Sequence, residues 1–90
     1  VNVVQPFVFD GAEVRVVTQD GEPRFVLTDL CRVLGILNGR MVAARLDDDV
    51  KGVSQIDTPG GRQRVTTVNE AGMYDVVVRS DSAAARPFRR

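Results

Sequence analysis

Ninety residues make room for one compact domain, and 43% apolar with 27% charged residues is the composition of a chain that folds around a modest core rather than staying disordered. The twelve basic and twelve acidic residues cancel, which argues against strong nonspecific attraction to a polyanion. They are unevenly placed, however: residues 1–49 carry five Arg against eight acids and residues 50–90 seven Lys or Arg against four, leaving −3 and +3.

Chemistry is further bounded by what is missing. With no histidine and one cysteine, the chain lacks the commonest general base, the commonest metal ligand and the means for a thiolate zinc site or internal disulfide, so no enzyme activity and no cofactor are expected. Cys31 lies among Leu30, Val33 and Leu34 and reads as a buried, inert thiol. No apolar run approaches the roughly 18 residues of a membrane helix, and Val1-Asn2 does not open a signal peptide; a cytoplasmic protein without membrane contact is expected.

In chain order, Val3–Phe9 and Glu13–Thr18 are β-branched and aromatic runs flanking Asp10-Gly11, a hairpin dipeptide. A turn at Gln19–Pro23 and a strand Arg24–Leu27 complete a three-stranded meander. The period then changes. Thr28 is placed to cap a helix with Asp29 in its first turn and Leu30, Val33 and Leu34 at helical spacing, stopped by Gly35. Asn38 caps a second helix to about Asp47, with Met41, Val42, Arg45 and Leu46 as its repeating positions and Asp47-Asp48-Asp49 at its exit.

Val50–Thr58 and Arg62–Val68 form a second hairpin around Pro59-Gly60-Gly61. Asn69 caps a third helix to about Ser80, carrying a stripe of Met73, Val76 and Val77 with Tyr74 beside it. Ser82–Ala85 starts a last helical piece that Pro87 interrupts, and the pattern at Phe88-Arg89-Arg90 reads as a domain cut from a longer protein. The Asp47–Asp49 triplet offers paired carboxylates but reads better as a solvated helix exit, and Pro59-Gly60-Gly61 lacks the spacing and the Lys-Ser/Thr of a phosphate loop.

Two short helices followed by a hairpin have the outline of a helix-turn-helix with a wing. On that outline Asn38 and Arg40 stand near the start of the recognition helix with Arg45 one turn on, where Arg and Asn can read base edges; the same residues also read as a cap and two solvated arginines. Arg62 and Arg64 share one strand face beside a projecting turn, with Gln63 on the other, and Arg79, Arg86, Arg89 and Arg90 gather toward the C-terminus. These are the candidate phosphate contacts, against the alternative of a solubilising surface. Eleven of the twelve basic residues are Arg, which suits forked contacts to phosphate or guanine and is also what a GC-rich genome produces.

The run Phe25-Val26-Leu27-Thr28-Asp29-Leu30-Cys31-Arg32-Val33-Leu34-Gly35 through Asn38, then Thr58-Pro59-Gly60-Gly61-Arg62-Gln63, Val68-Asn69-Glu70-Ala71-Gly72-Met73-Tyr74 and Ala85-Arg86-Pro87-Phe88-Arg89-Arg90, resembles the BRO-family N-terminal domain, which phage and prophage antirepressors share with baculovirus BRO proteins. The resemblance spans most of the chain from Val8 onward. It implies the N-terminal domain of a viral or prophage regulator acting in a bacterial host cell, joined to a variable C-terminal domain, some members of which bind DNA. The chain departs from the pattern at Arg24, where the family often has an aromatic, and at Pro87; the tryptophan expected after the basic pair lies beyond Arg90.

The expected fold is therefore α+β: an N-terminal three-stranded meander, two short helices, a β-hairpin and C-terminal helices. The expected role is DNA binding in gene regulation, with double-stranded DNA met by Arg40, Arg45, Arg62, Arg64, Arg79, Arg86, Arg89 and Arg90. The alternative is a protein-interaction module that captures a repressor protein or forms a homo-oligomer without touching DNA.

Overall fold

A computed structural model describes residues 3–9 and 11–79, without the side chains of Val3, Phe9 and Arg79. The elements run β1 (Val3–Phe9), β2 (Ala12–Gln19), β3 (Glu22–Val26), α1 (Leu27–Leu34), α2 (Gly39–Arg45), β4 (Lys51–Thr58), β5 (Gly61–Val68) and α3 (Glu70–Arg79). The α+β class and the order of elements agree with the sequence reading. Pairing is antiparallel throughout, and the strands form one sheet in the order β1-β2-β3-β5-β4. Meander and second hairpin are thus halves of a single sheet, joined where Phe25 and Val26 pair with Val68 and Thr67.

Tight turns set the register. Gln19 pairs with Glu22 across Asp20 and Gly21, whose φ values of 54° and 79° match the twist of a two-residue hairpin. Thr58 pairs with Gly61, so the projecting loop is Pro59-Gly60 and Gly61 already belongs to β5.

One sheet face carries the main core. Val14, Phe25 and Val68 meet Leu27, Leu30, Cys31 and Leu34 of α1, Met73, Val76 and Val77 of α3, and Leu46 after α2. On the opposite face Val17, Val26 and Ile56 are buried with Val65 against them and, among the described residues, no helix over them. Curvature covers this second cluster. The Ser54 hydroxyl on β4 donates to Gln19 Oε1 on β2 at 2.7 Å, although three inter-strand steps separate these strands, about 14 Å in a flat sheet. With that proton committed, the Thr67 hydroxyl 3.3 Å away donates to Ser54 in turn, so the buried polar pair is satisfied.

The start of α1 corrects the sequence reading. Thr28 does not cap it: the helix begins at Leu27, the N-cap is Val26 in extended conformation with no side-chain cap bond, and Thr28 is an exposed residue of the first turn. The physical reason is continuity. Phe25, Val26 and Leu27 are all buried, so the strand runs into the helix without a polar residue at the junction. This phase turns Asp29 inward, where its carboxylate accepts from Arg15 Nε at 2.8 Å, Arg15 Nη2 at 3.0 Å and the Arg15 backbone N–H at 3.0 Å, with Arg32 Nη1 3.7 Å away. The far end of α1 follows expectation: Gly35 adopts φ 74°, and its N–H and that of Ile36 donate to the carbonyls of Arg32 and Cys31.

Asn69 caps α3 as read from sequence, its Oδ1 accepting from Gly72 N–H at 2.8 Å, while its own N–H donates to the Val50 carbonyl at 2.9 Å. Gly72 is more than a weak point in a helix. A Cβ there would stand 2.9 Å from Val68 Cβ, 3.0 Å from the Val50 carbonyl oxygen and 3.2 Å from Val50 Cβ, so α3 packs directly on backbone. The expected last helical piece at 82–87 lies outside the described residues.

Two stability outcomes follow. Burial is the largest single influence on Asp29 and favours its neutral form, but the hydrogen bonds and charge of Arg15, with the charge of Arg32, together outweigh it and hold the carboxyl below its usual range. A lowered folded value means that the stabilisation is complete above the ordinary carboxylate range and is lost as pH falls through that folded value. Asp29→Asn is expected to cost about 2–3 kcal/mol at neutral pH, because breaking a fully buried pair costs about 3–5 and Arg15 is 39% exposed and partly screened. Urea unfolding of wild type and variant across pH 2–7 checks this: the difference narrows at the acid end. Gly72→Ala is expected to destabilise by up to about 2 kcal/mol by thermal unfolding, since overpacking at these contacts costs toward the upper end of about 1–3 kcal/mol and the helix propensity gained returns roughly 1 kcal/mol.

Candidate nucleic-acid interface

The helical pair is built on a short, well-tied connection. After Gly35 closes α1, Asn38 Oδ1 accepts from the Met41 N–H at 3.3 Å and starts α2. A Cβ on Gly39 would lie 3.5 Å from the Cys31 Sγ, so α2 begins in contact with the α1 thiol. From Gly39 the inward positions are Val42, Ala43 and Leu46, at i+3, i+4 and i+7, and all three pack on the core cluster. Met41 and Arg45, two of the four positions read as this helix's repeat, therefore face water instead. The outward face carries Arg40, Met41, Ala44 and Arg45, and Leu37 before the cap is fully exposed. Sequence offered no signal for this, since Met41 stands at helical spacing with Val42 and Leu46; the Gly39 contact with Cys31 sets the phase.

The helix ends at Arg45, two residues before the expected exit at Asp47. Lys51 Nζ donates to the Ala43 carbonyl at 2.7 Å, tying the end of α2 to the start of β4, and lies 3.7 Å from Asp48. Asp47, Asp48 and Asp49 are exposed in this exit. Their negative charge sets a polarity along the surface, leaving the Leu37–Met41 end the more welcoming to an anion.

Strand register places the hairpin arginines. Side chains alternate between faces, so Arg62 and Arg64 share the face of buried Val68, the one on which the helices pack. Gln63 takes the opposite face. Lys51, beside α2, and Asp57, opposite Arg62, lie six residues apart on β4, so about 20 Å of strand separates the helix from the wing-like tip.

The candidate residues differ in their partners. Arg40, Arg45 and Arg64 are exposed and form no hydrogen bond or ion pair among the described residues. Arg62 Nε is 3.4 Å from Asp57 Oδ1 across the strand pair, with both side chains mostly in water, a contact of small energetic weight that a competing phosphate can replace. Arg79 is the last residue of α3, its side chain beyond what is described, and Arg86, Arg89 and Arg90 lie outside the described residues. Two other arginines are committed to the fold: Arg15 to Asp29, and Arg32 through Nη2 to the Glu13 carbonyl at 3.1 Å. Arg24 is half-buried, its guanidinium beside Gly52 and its Nε without a partner among the described residues.

Elsewhere a groove of about 350 Å³ lies between β1, β3 and the start of α3, with Phe7, Phe25, Met73, Tyr74, Gln5 and Glu70 on its walls. Phe7 and Phe25 meet edge to face at 6.2 Å. Among the described residues no group of three or more His, Cys, Asp or Glu could hold a metal ion, and no helix is long and apolar enough to cross a membrane.

With this architecture in view, comparison with known proteins is specific at one level. The sequence model of the BRO family, N-terminal domain, matches residues 13–90, and the chain belongs to that family. It is 36% identical over 87 residues to an uncharacterized protein of Haemophilus influenzae, an alignment that covers 91% of this chain and 42% of that protein. The chain thus spans less than half the length of this relative. No solved structure matches.

Burial pushes the Cys31 thiol above its ordinary value, as the buried reading of this residue requires. Ellman's reagent is expected to leave Cys31 untouched at pH 8 in the folded protein and to titrate one thiol per chain in denaturant. Fast labelling without denaturant would show that α2 detaches from α1.

Proposed function

We propose that this domain binds duplex DNA as part of a phage or prophage regulator of the antirepressor type, with α2 at the base edges and the β4–β5 hairpin on the phosphates. The observation that carries the reading is the set of exposed guanidinium groups of Arg40, Arg45 and Arg64, without a partner among the described residues, on elements at the same sheet face. Arginine in this state presents a planar fork of donors that matches phosphate oxygens or the guanine edge. Membership of the BRO family supports the regulatory context. Arg62 joins by exchanging Asp57 for a phosphate, and Arg79, Arg86, Arg89 and Arg90 are the remaining candidate phosphate contacts. The medium is the cytoplasm of a bacterial host.

A second reading, capture of a repressor protein or self-association, draws on the aromatic groove beside Glu70, which is independent of the arginines. Light scattering and pull-down with a repressor separate it from the first.

Fluorescence anisotropy with a labelled duplex over a salt series tests the DNA reading. Arg62, Arg64, Arg86, Arg89 and Arg90 on five phosphates would give a log–log slope of about −4 to −5. Arg62→Ala with Arg64→Ala is expected to reduce its magnitude by about two, whereas Arg40→Ala costs about 1–3 kcal/mol at preferred sites and relaxes sequence preference. No binding at low salt, or a slope near zero, overturns the proposal.

A further inference from the structure

The outward face of α2 mixes two chemistries. Arg40 and Ala44, and Met41 and Arg45, stand four residues apart on α2 and form one exposed surface, and Leu37 is exposed in the lead-in just before the Asn38 cap. Leu37 is 102% exposed and Met41 50%, while Val42, Ala43 and Leu46 supply the packing that holds the helix in place. Neither outward apolar residue contributes to the core. Among the described residues the face carries no carboxylate, and its charges are the guanidinium groups of Arg40 and Arg45, which have no partner there.

We infer that this face reads thymine methyl groups as well as guanines, with Leu37, Met41 and Ala44 contacting C5-methyls while Arg40 and Arg45 take the neighbouring guanine O6 and N7. The inference rests on the DNA-binding reading above and deepens it. The major groove presents these two features side by side, acceptor pairs on guanine and a methyl on thymine, in a channel about 12 Å wide that accepts a helix. Seven residues of α2 span about 10 Å, enough for three or four base pairs. Polarity agrees. Asp47, Asp48 and Asp49 repel phosphates at the far end, so the Leu37 end enters the groove, and the arginines on the hairpin lie on the same sheet face to meet the flanking backbone. A protein partner for this face would have to bring carboxylates interleaved with apolar groups, whereas the major groove offers acceptors and methyls together.

The test starts with selection of bound duplexes from a random 20-base-pair library by the intact chain. The chosen duplex is then remade with deoxyuridine for thymine, which removes the C5-methyl and leaves base pairing unchanged. The expected result is enrichment of adjoining G and T, and binding weakened about fourfold for each contacted methyl, the usual value of one buried methyl-sized group. Leu37→Gln with Met41→Gln should shrink the thymine-over-uracil preference to the one methyl that Ala44 still contacts, at unchanged melting temperature and unchanged salt slope, because both residues are exposed and no charge is lost.

Equal binding of the two duplexes by wild type overturns the methyl reading and leaves DNA binding standing. Binding without enrichment of any sequence does the same. Failure to bind any duplex at low salt removes both proposals. A dimer in light scattering that the double variant converts to monomer assigns the face to a second copy instead.

Discussion

The buried carboxylate of Asp29, gripped by the side chain and backbone of Arg15, is the contact on which the arrangement of sheet and helices depends. It spans 14 residues and joins β2 to the first turn of α1 at a point only 2% accessible to water. A carboxylate taken out of water is costly unless its lone pairs are filled, and here three N–H groups fill them with Arg32 as a second cation nearby. Because a planar fork accepts one orientation of its partner, the pair fixes the rotation of α1 about its axis as well as its position. Apolar contacts between Leu30, Leu34 and the sheet tolerate sliding that this bond does not.

Everything outward of α1 inherits that orientation. Gly39 rests on Cys31, two residues along α1 from Asp29, so the phase of α1 sets the phase of α2, and with it the side of α2 that meets solvent. The apolar residues Val42, Ala43 and Leu46 hold the helix while Leu37 and Met41 are left in water beside Arg40 and Arg45. Lys51 closes the frame from the other end through the Ala43 carbonyl. A short helix with so little burial of its own is rigid only because both of its ends are tied to larger elements.

The sheet contributes by its curvature. Rolling the strands far enough for Ser54 to reach Gln19 encloses Val17, Val26 and Ile56 with no helix of the described residues on that face. Helices α1, α2 and α3 pack on the other face, the same one from which Arg62 and Arg64 project. Gly72 lets α3 lie against Val50 and Val68, and Asn69 ties its start to the Val50 carbonyl, so the strand that follows α2 and the helix that closes the core are braced together.

By itself the sequence determined the local elements: hairpin dipeptides, the Gly35 stop, the Asn38 and Asn69 caps, the inward stripe of α3 and the shared face of Arg62 and Arg64 are all consequences of neighbours within a few residues. The family was legible for the same reason, since its motif is a chain-order pattern of caps and turns. What tertiary structure alone decided concerns partners far apart in the chain. Asp29 read as a dipole residue because nothing near it points to Arg15; Thr28 read as a cap because a buried strand-to-helix junction leaves no local mark. Met41 read as a packing residue until the contact of Gly39 with Cys31 set the phase of α2. A side chain's periodicity announces which residues share a face, but only the elements that arrive from elsewhere decide whether that face is covered.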